Sequence, residues 1–469
     1  MFIISLAVLV SGCGPSVDRY LLVDNSLMAH DFKRADAAIQ QAEKEYGEKS
    51  RVLYGMDRGM TLQLAGDFQQ SNQMLEQAED EIDRLYTRKV RTETLAFMTN
   101  DTSLPYEGDP YEQVLINVLR GINYAMLGQW EDALVEARKI DRRLNLLSDR
   151  IKDKEAYRED ASARYVAGIL YESTGDINNA FISYRKAYEI FDATKGWSRT
   201  AAPVQLQRDL LRTAEALQLT QELADYQREF PEVTWQSVRA HQQLAQVVVI
   251  SYNGRAPRKE DLFLDLPISL DALQLVLLNR GFSQASGRQN RAVDSTLYGL
   301  NGRVVRVALP RLVIQKTAFH SDAVYLNPTT GTPVAARAEL TESVTAQAEK
   351  ALSERMPGIT VKALARAAVK FSLAEGATRG AQQAAGKDAG PWVGLIVSLL
   401  TKGYAVASEE ADKRSWRTLP DEIHIARTWV TPGTYQVQGG ALAGNKAAGG
   451  RTISLGAGET GFLIQRVLP

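Results

Sequence analysis

Small and apolar residues in the first half of the chain recur at fixed helical spacings. One set of six positions occurs three times with identical offsets, and each set contains two glycines seven residues apart. The first glycine lets a partner helix approach closely, and the second ends the first helix. The three sets are Gly59, Leu62, Gly66, Ser71, Leu75 and Ala78; Gly121, Tyr124, Gly128, Ala133, Ala137 and Ile140; and Gly168, Tyr171, Gly175, Ala180, Tyr184 and Ala187. A partial fourth copy comprises Asp31, Phe32, Ala35, Ile39 and Ala42.

This pattern resembles the tetratricopeptide repeat, in which two antiparallel helices pack through small and large residues at fixed places. The glycines at 59, 121 and 168 are 62 and then 47 residues apart, instead of about 34. Insertions must therefore lie between the copies. A further helical run, Val204 to Glu229, ends at Phe230-Pro231 and is expected to cap the array. Stacked pairs of this kind predict a curved solenoid with a concave face.

The first helix of each pair is expected to line the concave face. An exposed apolar groove marks a binding site, and methionine adapts to varied partners. The alternative is that another part of this chain, such as a C-terminal helix, fills the groove. The candidate protein-binding positions are Leu53, Met56, Met60, Leu115, Val118, Ile122, Tyr165 and Ile169.

After about Trp235 the pattern changes to short apolar runs bounded by turn-forming residues, which indicates strands. The predicted strands cover 246–252, 262–267, 304–314, 423–430, 434–437, 452–455 and 460–467. Helical runs are predicted over 335–356, broken at Pro357-Gly358, and over 361–371. The segments 431–435 and 455–459 have the composition of hairpin turns in a small β-sandwich.

The fold class predicted from these patterns is multidomain. Residues 1–12 form a signal peptide, residues 13–235 an all-α tetratricopeptide-like solenoid, and residues 240–469 an α+β domain with a small β-sandwich-like part. An Ala/Gly-rich segment, 376–403, has an apolar centre at Trp392 to Leu400 that is too short to span a bilayer. It is expected to be a buried helix, the alternative being insertion into a membrane surface or a partner.

The only cysteine of the chain, Cys13, follows the apolar run Phe2 to Val10 and the small residues Ser11 and Gly12. This arrangement resembles a lipobox, in which the cysteine is acylated and becomes the first mature residue. Several acyl chains would anchor the protein almost permanently. No Lys or Arg precedes the run, which a start further upstream would explain. The alternative is a buried strand with a chance cysteine. In such lipoproteins an aspartate after the cysteine commonly retains the protein at the inner membrane. Gly14 follows Cys13 here, so the protein is expected in the outer membrane, facing the periplasm.

Charge and residue counts exclude several kinds of chemistry. The formal net charge of -1 offers no general attraction for nucleic acid. With a single cysteine, no disulfide is predicted within the chain. The four histidines are scattered along the sequence, so no metal site is predicted either. Phosphate-loop, nucleophile-elbow and dinucleotide motifs are absent from the sequence, so no cofactor and no catalytic residue is predicted. The acidic pair Asp421-Glu422 is expected to point apart and not to act together.

The segment Ala411 to Pro420, ADKRSWRTLP, is the densest local motif, and Val249 to Lys259 reads VISYNGRAPRK. Together they resemble a poorly characterised family of bacterial lipoproteins with N-terminal tetratricopeptide-like repeats and a C-terminal domain of unassigned activity. The resemblance covers nearly the whole chain and implies localisation and architecture, but no reaction. Within the motif, Arg414, Trp416 and Arg417 are the candidate binding edge. The alternative places Trp416 in the core and uses the arginines to hold loops.

The sequence therefore predicts a non-enzymatic adaptor, anchored in the outer membrane through Cys13 on its periplasmic face. Its repeats would bind a protein partner in an envelope assembly that regulates cell-wall synthesis or serves export. Two alternatives stay open. The C-terminal domain is a hydrolytic or glycan-binding module that the repeats orient, or the chain is a subunit of an oligomeric envelope pore complex.

Overall fold

The structure is a computed structural model that describes residues 17–89, 104–150, 160–267, 304–316, 321–376, 411–441 and 451–468. Cys13 and the segment 392–400 lie outside these residues, so acylation and the fate of the apolar segment remain predictions.

Helices occupy the described chain up to residue 241 and pack as successive pairs. The pairs α4/α5, α6/α7 and α8/α9 correspond to the three sequence copies, with α1/α2 before them and α10/α11 after them. The bounds are α1 Val17–Met28, α2 Phe32–Gln41, α3 Glu43–Tyr46, α4 Arg51–Ala65, α5 Phe68–Lys89, α6 Pro110–Met126, α7 Trp130–Arg150, α8 Ala161–Ser173, α9 Ile177–Ser198, α10 Val204–Ala216, α11 Thr220–Glu229 and α12 Val238–His241. The predicted tetratricopeptide-like repeat region is confirmed. The expected single run over 204–229 is instead a further helix pair.

The repeated glycines have the two roles that their spacing predicts. Gly66, Gly128 and Gly175 take φ values of 84°, 71° and 82°, the left-handed conformation that ends a helix without a steric penalty. At Gly168, by contrast, a Cβ atom would lie 2.4 Å from the ring of Tyr184. An added side chain at this position would therefore collide with Tyr184, and α8 and α9 can pack this closely only because residue 168 is a glycine.

The strands follow in the second half of the chain. Seven of them form one sheet in the order β8-β7-β4-β5-β6-β1-β9, and β2 and β3 form a separate two-stranded ribbon. Within the larger sheet β1 and β9 are parallel, and the other neighbours are antiparallel. The bounds are β1 Ala245–Asn253, β2 Arg258–Pro267, β3 Val304–Val313, β4 Ser321–Pro328, β5 Val334–Ser343, β6 Glu422–Val430, β7 Gly433–Ala441, β8 Arg451–Leu455 and β9 Thr460–Val467, with helix α13 Val344–Gly376 between β5 and β6.

The larger sheet curls into a barrel-like shape, and the predicted sandwich is wrong. Residues from six strands, among them Val247, Val324 and Val437, fill one interior cluster. The two edge strands come together, because a Cβ atom on Gly461 of β9 would lie 2.3 Å from Ile453 of β8. The predicted hairpin at 431–435 is also wrong, since β5 and β4 lie between β6 and β7. The turn at 455–459 likewise joins opposite edges of the sheet.

The predicted helix over 335–356 begins too early. Residues 334–343 form β5, in which Ala336 and Ala338 face the barrel interior. Alanine favours helices intrinsically, but a narrow interior selects small side chains, and this tertiary requirement prevails. The helix that follows, α13, also continues through Pro357, where the sequence predicted a break. Strand β4 was not predicted.

Candidate functional site: the concave face of the repeats

The eight candidate groove residues line a surface that is closed in this structure. Every one is buried, with at most 4% of its surface exposed. They share one continuous apolar cluster with residues of the second half of the chain. The eight groove residues are Leu53, Met56 and Met60 of α4, Leu115, Val118 and Ile122 of α6, and Tyr165 and Ile169 of α8.

The outer face of the barrel-like sheet fills the concave face. Along β1, Val247 and Val249 point into the barrel, whereas Val248, Ile250 and Tyr252 belong to the cluster shared with the helices. The neighbouring strands add Ile423, Ile425, Phe462 and Ile464. The sequence left open whether a partner or another part of the same chain covers the groove residues, and the structure shows the second arrangement. The chain occupies its own groove, and it does so with strands rather than with a C-terminal helix.

Polar contacts fix the register between the helices and the strands. The Tyr252 hydroxyl donates to Gln63 Oε1 at 3.0 Å, and Gln63 Nε2 donates to Asn123 Oδ1 at 2.8 Å. Further along the same face, Asp57 accepts from the hydroxyls of Tyr46 and Thr418 at 2.8 and 3.0 Å. Burial raises the pKa of Asp57 to about 7 despite these two donors.

A buried ion-pair network also links the two halves of the chain. Arg427 of β6 donates to Asp209 at 2.7 Å and to Glu172 at 2.7 Å, and it also bonds the Tyr184 hydroxyl. Arg212 donates to the same two carboxylates at 2.8 to 2.9 Å. Burial alone would raise the pKa of Glu172, but Arg212 and Arg427 together hold it at about 2. Two guanidinium groups thus neutralise two carboxylates contributed by α8 and α10.

A second pair of buried acids lies where β5 meets the start of α8. The Asp160 carboxyl caps α8 by accepting from the Ala163 amide at 2.8 Å, and it also interacts with the Glu342 carboxyl. Burial, together with the neighbouring acid in the case of Glu342, raises the pKa of both groups. The pair is therefore expected to share a proton in the folded protein.

Replacing Glu342 with glutamine should make folding stability less dependent on pH. The raised pKa means that the folded protein holds a proton which the unfolded chain releases above about pH 4.5. The stability from the shared proton is thus complete at low pH and is lost as pH rises through the folded pKa. We expect Glu342→Gln to lose less stability than the parent as pH is raised above about 4.5, measured by urea titrations at a series of pH values. Parallel pH profiles for the two proteins would contradict the shared proton.

The sequence motif at 411–420 divides into buried and partly exposed members. Trp416 is 1% exposed, and its backbone amide donates to Glu112 Oε1 at 2.8 Å. Arg414 is buried and donates to the backbone carbonyls of Lys49 and Leu104 at 3.2 and 3.0 Å, holding two parts of the repeats together. Of the three candidate residues, only Arg417 keeps part of its side chain at the surface. The structure therefore places Trp416 in the core and Arg414 in a supporting position.

A small cavity lies beside this motif. Its polar lining includes Tyr106, Asp109, Lys259, Arg355 and Asp412. Lys259 bonds Asp109 at 2.9 Å, and Arg355 pairs with the same carboxylate. Burial would raise the pKa of Asp109, but the two cations keep it below its usual value. The cavity volume of about 30 Å³ accommodates a couple of water molecules and no larger substrate.

The acidic pair Asp421-Glu422 behaves differently from the prediction. Both carboxylates meet the amine of Lys316, at 3.1 and 3.3 Å, so they converge on one cation. Asp421 also accepts from the Thr345 hydroxyl at 2.5 Å. The Thr345 contact joins the start of β6 to the start of α13, and the Lys316 contacts join it to the residues that follow β3. A strand that begins at Glu422 allows the convergence, because Asp421 still belongs to the preceding turn.

None of the helices in the described parts of the chain combines the length and the apolar character needed to cross a membrane. Within the same ranges, no group of three or more His, Cys, Asp or Glu side chains is placed to hold a metal ion.

Comparison with known proteins gives structural likeness only. No family model and no curated protein sequence matches the chain. The crystal structure of MamA aligns with 45% of this chain and 93% of its own, at 16% identity and a TM-score of 0.29. A putative kinesin light chain from Podosopora anserina with nearly identical TPR-like repeats aligns with 46% of this chain and 93% of its own, at 14% identity and a TM-score of 0.30. BtubC (BKLC) from P. vanneervenii aligns with 46% and 78%, at 14% identity and a TM-score of 0.32. At these values the likeness adds nothing to what the helix pairs themselves show.

Proposed function

We propose that this protein is a lipid-anchored scaffold on the periplasmic face of the outer membrane and that it binds a protein partner in an envelope assembly. The closed concave face carries the proposal. The two arginines and two carboxylates of its ion-pair network pair with one another, so their chemistry is used to hold the helices and the barrel-like sheet in one geometry. A body built in this way is suited to presenting surfaces rather than to transforming a substrate.

Because the groove is filled by the chain itself, we expect a protein partner to bind the outer surface of the repeats. Leu127, in the turn between α6 and α7, is 40% exposed, and Val135 of α7 is 41% exposed. Tyr86 of α5 is 36% exposed. A photo-crosslinking residue at Leu127 or Val135 should capture one defined envelope protein in intact cells. The exposed polar position Gln221 on α11 is the matched control. Equal labelling from all three positions would contradict a specific partner surface there.

Replacing Cys13 with serine should release the protein from membranes. Serine cannot carry the thioether-linked lipid, and each buried methylene of an acyl chain contributes about 0.8 kcal/mol to membrane binding. We expect the parent protein in the outer-membrane fraction and Cys13→Ser in the soluble periplasmic fraction, both detected by immunoblotting after fractionation. If the variant stayed in the membrane fraction at the parent level, acyl anchoring through Cys13 would be refuted.

A further inference from the structure

Several arginines surround one carboxylate where the end of the barrel-like sheet meets the first helix. Asp24 lies on α1, and its carboxylate faces Arg417 at 3.6 Å and Arg255 at 3.9 Å. Arg466, near the end of β9, donates to the backbone carbonyl of Leu419, two residues after Arg417, at 3.3 Å, and its charge also lowers the pKa of Asp24. Three positive charges therefore meet one negative charge in a chain whose formal net charge is -1.

The hydrogen-bond donors of these arginines are largely unused. The two distances to Asp24 are ion-pair separations, longer than a hydrogen bond. Among the described residues, neither Arg255 nor Arg417 donates a side-chain hydrogen bond, although Arg417 lies 3.9 Å above the ring of Tyr20. Arg466 is 2% exposed, and its Nε and Nη1 atoms have no partner. Its Nη2 atom donates to the Leu419 carbonyl at 3.3 Å.

A buried guanidinium with unfilled donors is energetically unfavourable unless an acceptor fills them. Burial lowers the pKa of Arg466 to about 9, which reflects the cost of holding its charge away from water. The side chains of Arg255 and Arg417 are 29% and 22% exposed, so the cluster is accessible from the surface. Burial also raises the pKa of Asp24 in spite of the surrounding arginines, so its carboxylate is a poorly solvated counterion that a stronger acceptor could displace.

We propose that Arg255, Arg417 and Arg466 form a binding site for a phosphate group, with Asp24 as the counterion that the phosphate displaces. Planar guanidinium groups bind phosphate through paired hydrogen bonds, and a tetrahedral phosphate has enough acceptors for all three. The fourth nearby arginine, Arg258, is already bonded to Glu260 at 3.0 Å and serves the ribbon instead. The phosphate belongs either to a lipid headgroup or to a soluble phosphate compound, and the two sources can be separated by experiment.

The test uses the full chain carrying Cys13→Ser, so that no acyl chain contributes to binding. Inorganic phosphate is titrated by calorimetry at constant ionic strength, with chloride as the balancing anion. We expect phosphate to bind the parent, and Arg417→Gln and Arg255→Gln each to weaken binding roughly tenfold or more, because charge-assisted hydrogen bonds are lost. Arg337→Gln removes an arginine from an exposed position on β5 and should bind as the parent does.

Vesicles identify the source of the phosphate. Co-sedimentation is compared for vesicles of phosphatidylcholine alone and for vesicles that also contain phosphatidylglycerol. Arginine-dependent binding to the anionic vesicles supports a lipid headgroup, and arginine-dependent binding of inorganic phosphate without vesicle binding supports a soluble ligand. If Arg255→Gln and Arg417→Gln bound both probes like Arg337→Gln, or if the parent bound neither, the proposal would be overturned. The scaffold proposal is tested separately by crosslinking and fractionation, so the two can fail independently.

Discussion

Replacement of Arg427 by methionine should lower the free energy of unfolding by about 3–5 kcal/mol. Methionine has a similar length but no charge, so Glu172 and Asp209 would lose one of the two cations that neutralise them. Removing one partner of a buried ion network leaves an uncompensated buried charge, which costs more than the pair itself contributes. Urea unfolding of the full chain, followed by tryptophan fluorescence at neutral pH, measures the change.

Two further variants separate the charge effect from simple loss of packing. Arg337→Met makes the same chemical change at an exposed position and should alter stability by less than about 0.5 kcal/mol. Adding Glu172→Gln to Arg427→Met should recover part of the lost stability, because it removes a charge that no longer has its full set of partners. A loss below about 1 kcal/mol for Arg427→Met, or no recovery in the double variant, would show that the network does not join the two halves.

The same network predicts how acid acts on the protein. The pKa of Glu172 is held at about 2 in the folded protein, below the ordinary value of 4.5 for a glutamate carboxyl. The stability that this difference provides is complete above about pH 4.5 and is lost as pH falls toward 2. The Asp160–Glu342 pair has the opposite sign, and its contribution is lost as pH rises. The two interfaces should therefore weaken at opposite ends of the pH range.

The helix pairs could be predicted because their determinants are local. Gly66 ends its helix in the left-handed conformation, and Gly168 permits a close crossing of two helices. Both roles depend on residues within the same repeat, so the sequence of the repeat is enough to predict them. The position of β5 could not be predicted in the same way. Ala336 and Ala338 have no strand preference of their own, and only the narrow barrel interior explains them. The residues that share this interior lie far apart along the chain; Val247 and Ala336, for example, are about 90 positions apart.

The apolar pattern of β1 indicates in the sequence that a second surface covers this strand. Residues 246–252 read QVVVISY, and all of β1 is buried on both faces. A strand covered on one side shows alternation, whereas a continuous apolar run indicates a strand covered on both sides. That run required a second apolar surface, and the eight groove residues are such a surface. Which charged groups would pair across the interface could not be predicted, because Arg427 and Asp209 are 218 positions apart.

Trp416 provides the second large effect. Replacing it with alanine should destabilise the protein by about 3–5 kcal/mol, since the side chain is almost fully buried in the cluster that joins both halves. Its indole Nε1 also donates to the Thr418 hydroxyl at 3.0 Å, and that hydroxyl in turn bonds Asp57 of α4. The space left by the missing indole in Trp416→Ala would thus loosen the contact between the 411–421 segment and the first repeat.

The matched control is Trp235→Ala, because Trp235 is partly exposed and packs only at the edge of the same cluster. We expect a loss of about 1 kcal/mol or less for this variant. Hydrogen exchange should show faster exchange in α4 for Trp416→Ala but not for Trp235→Ala, since only Trp416 supports the Thr418–Asp57 contact. Equal destabilisation by both variants would mean that the motif tryptophan is an ordinary surface-proximal residue. In that case Trp416 would again be a candidate for direct contact with a ligand, which is one of the two roles that the sequence allows.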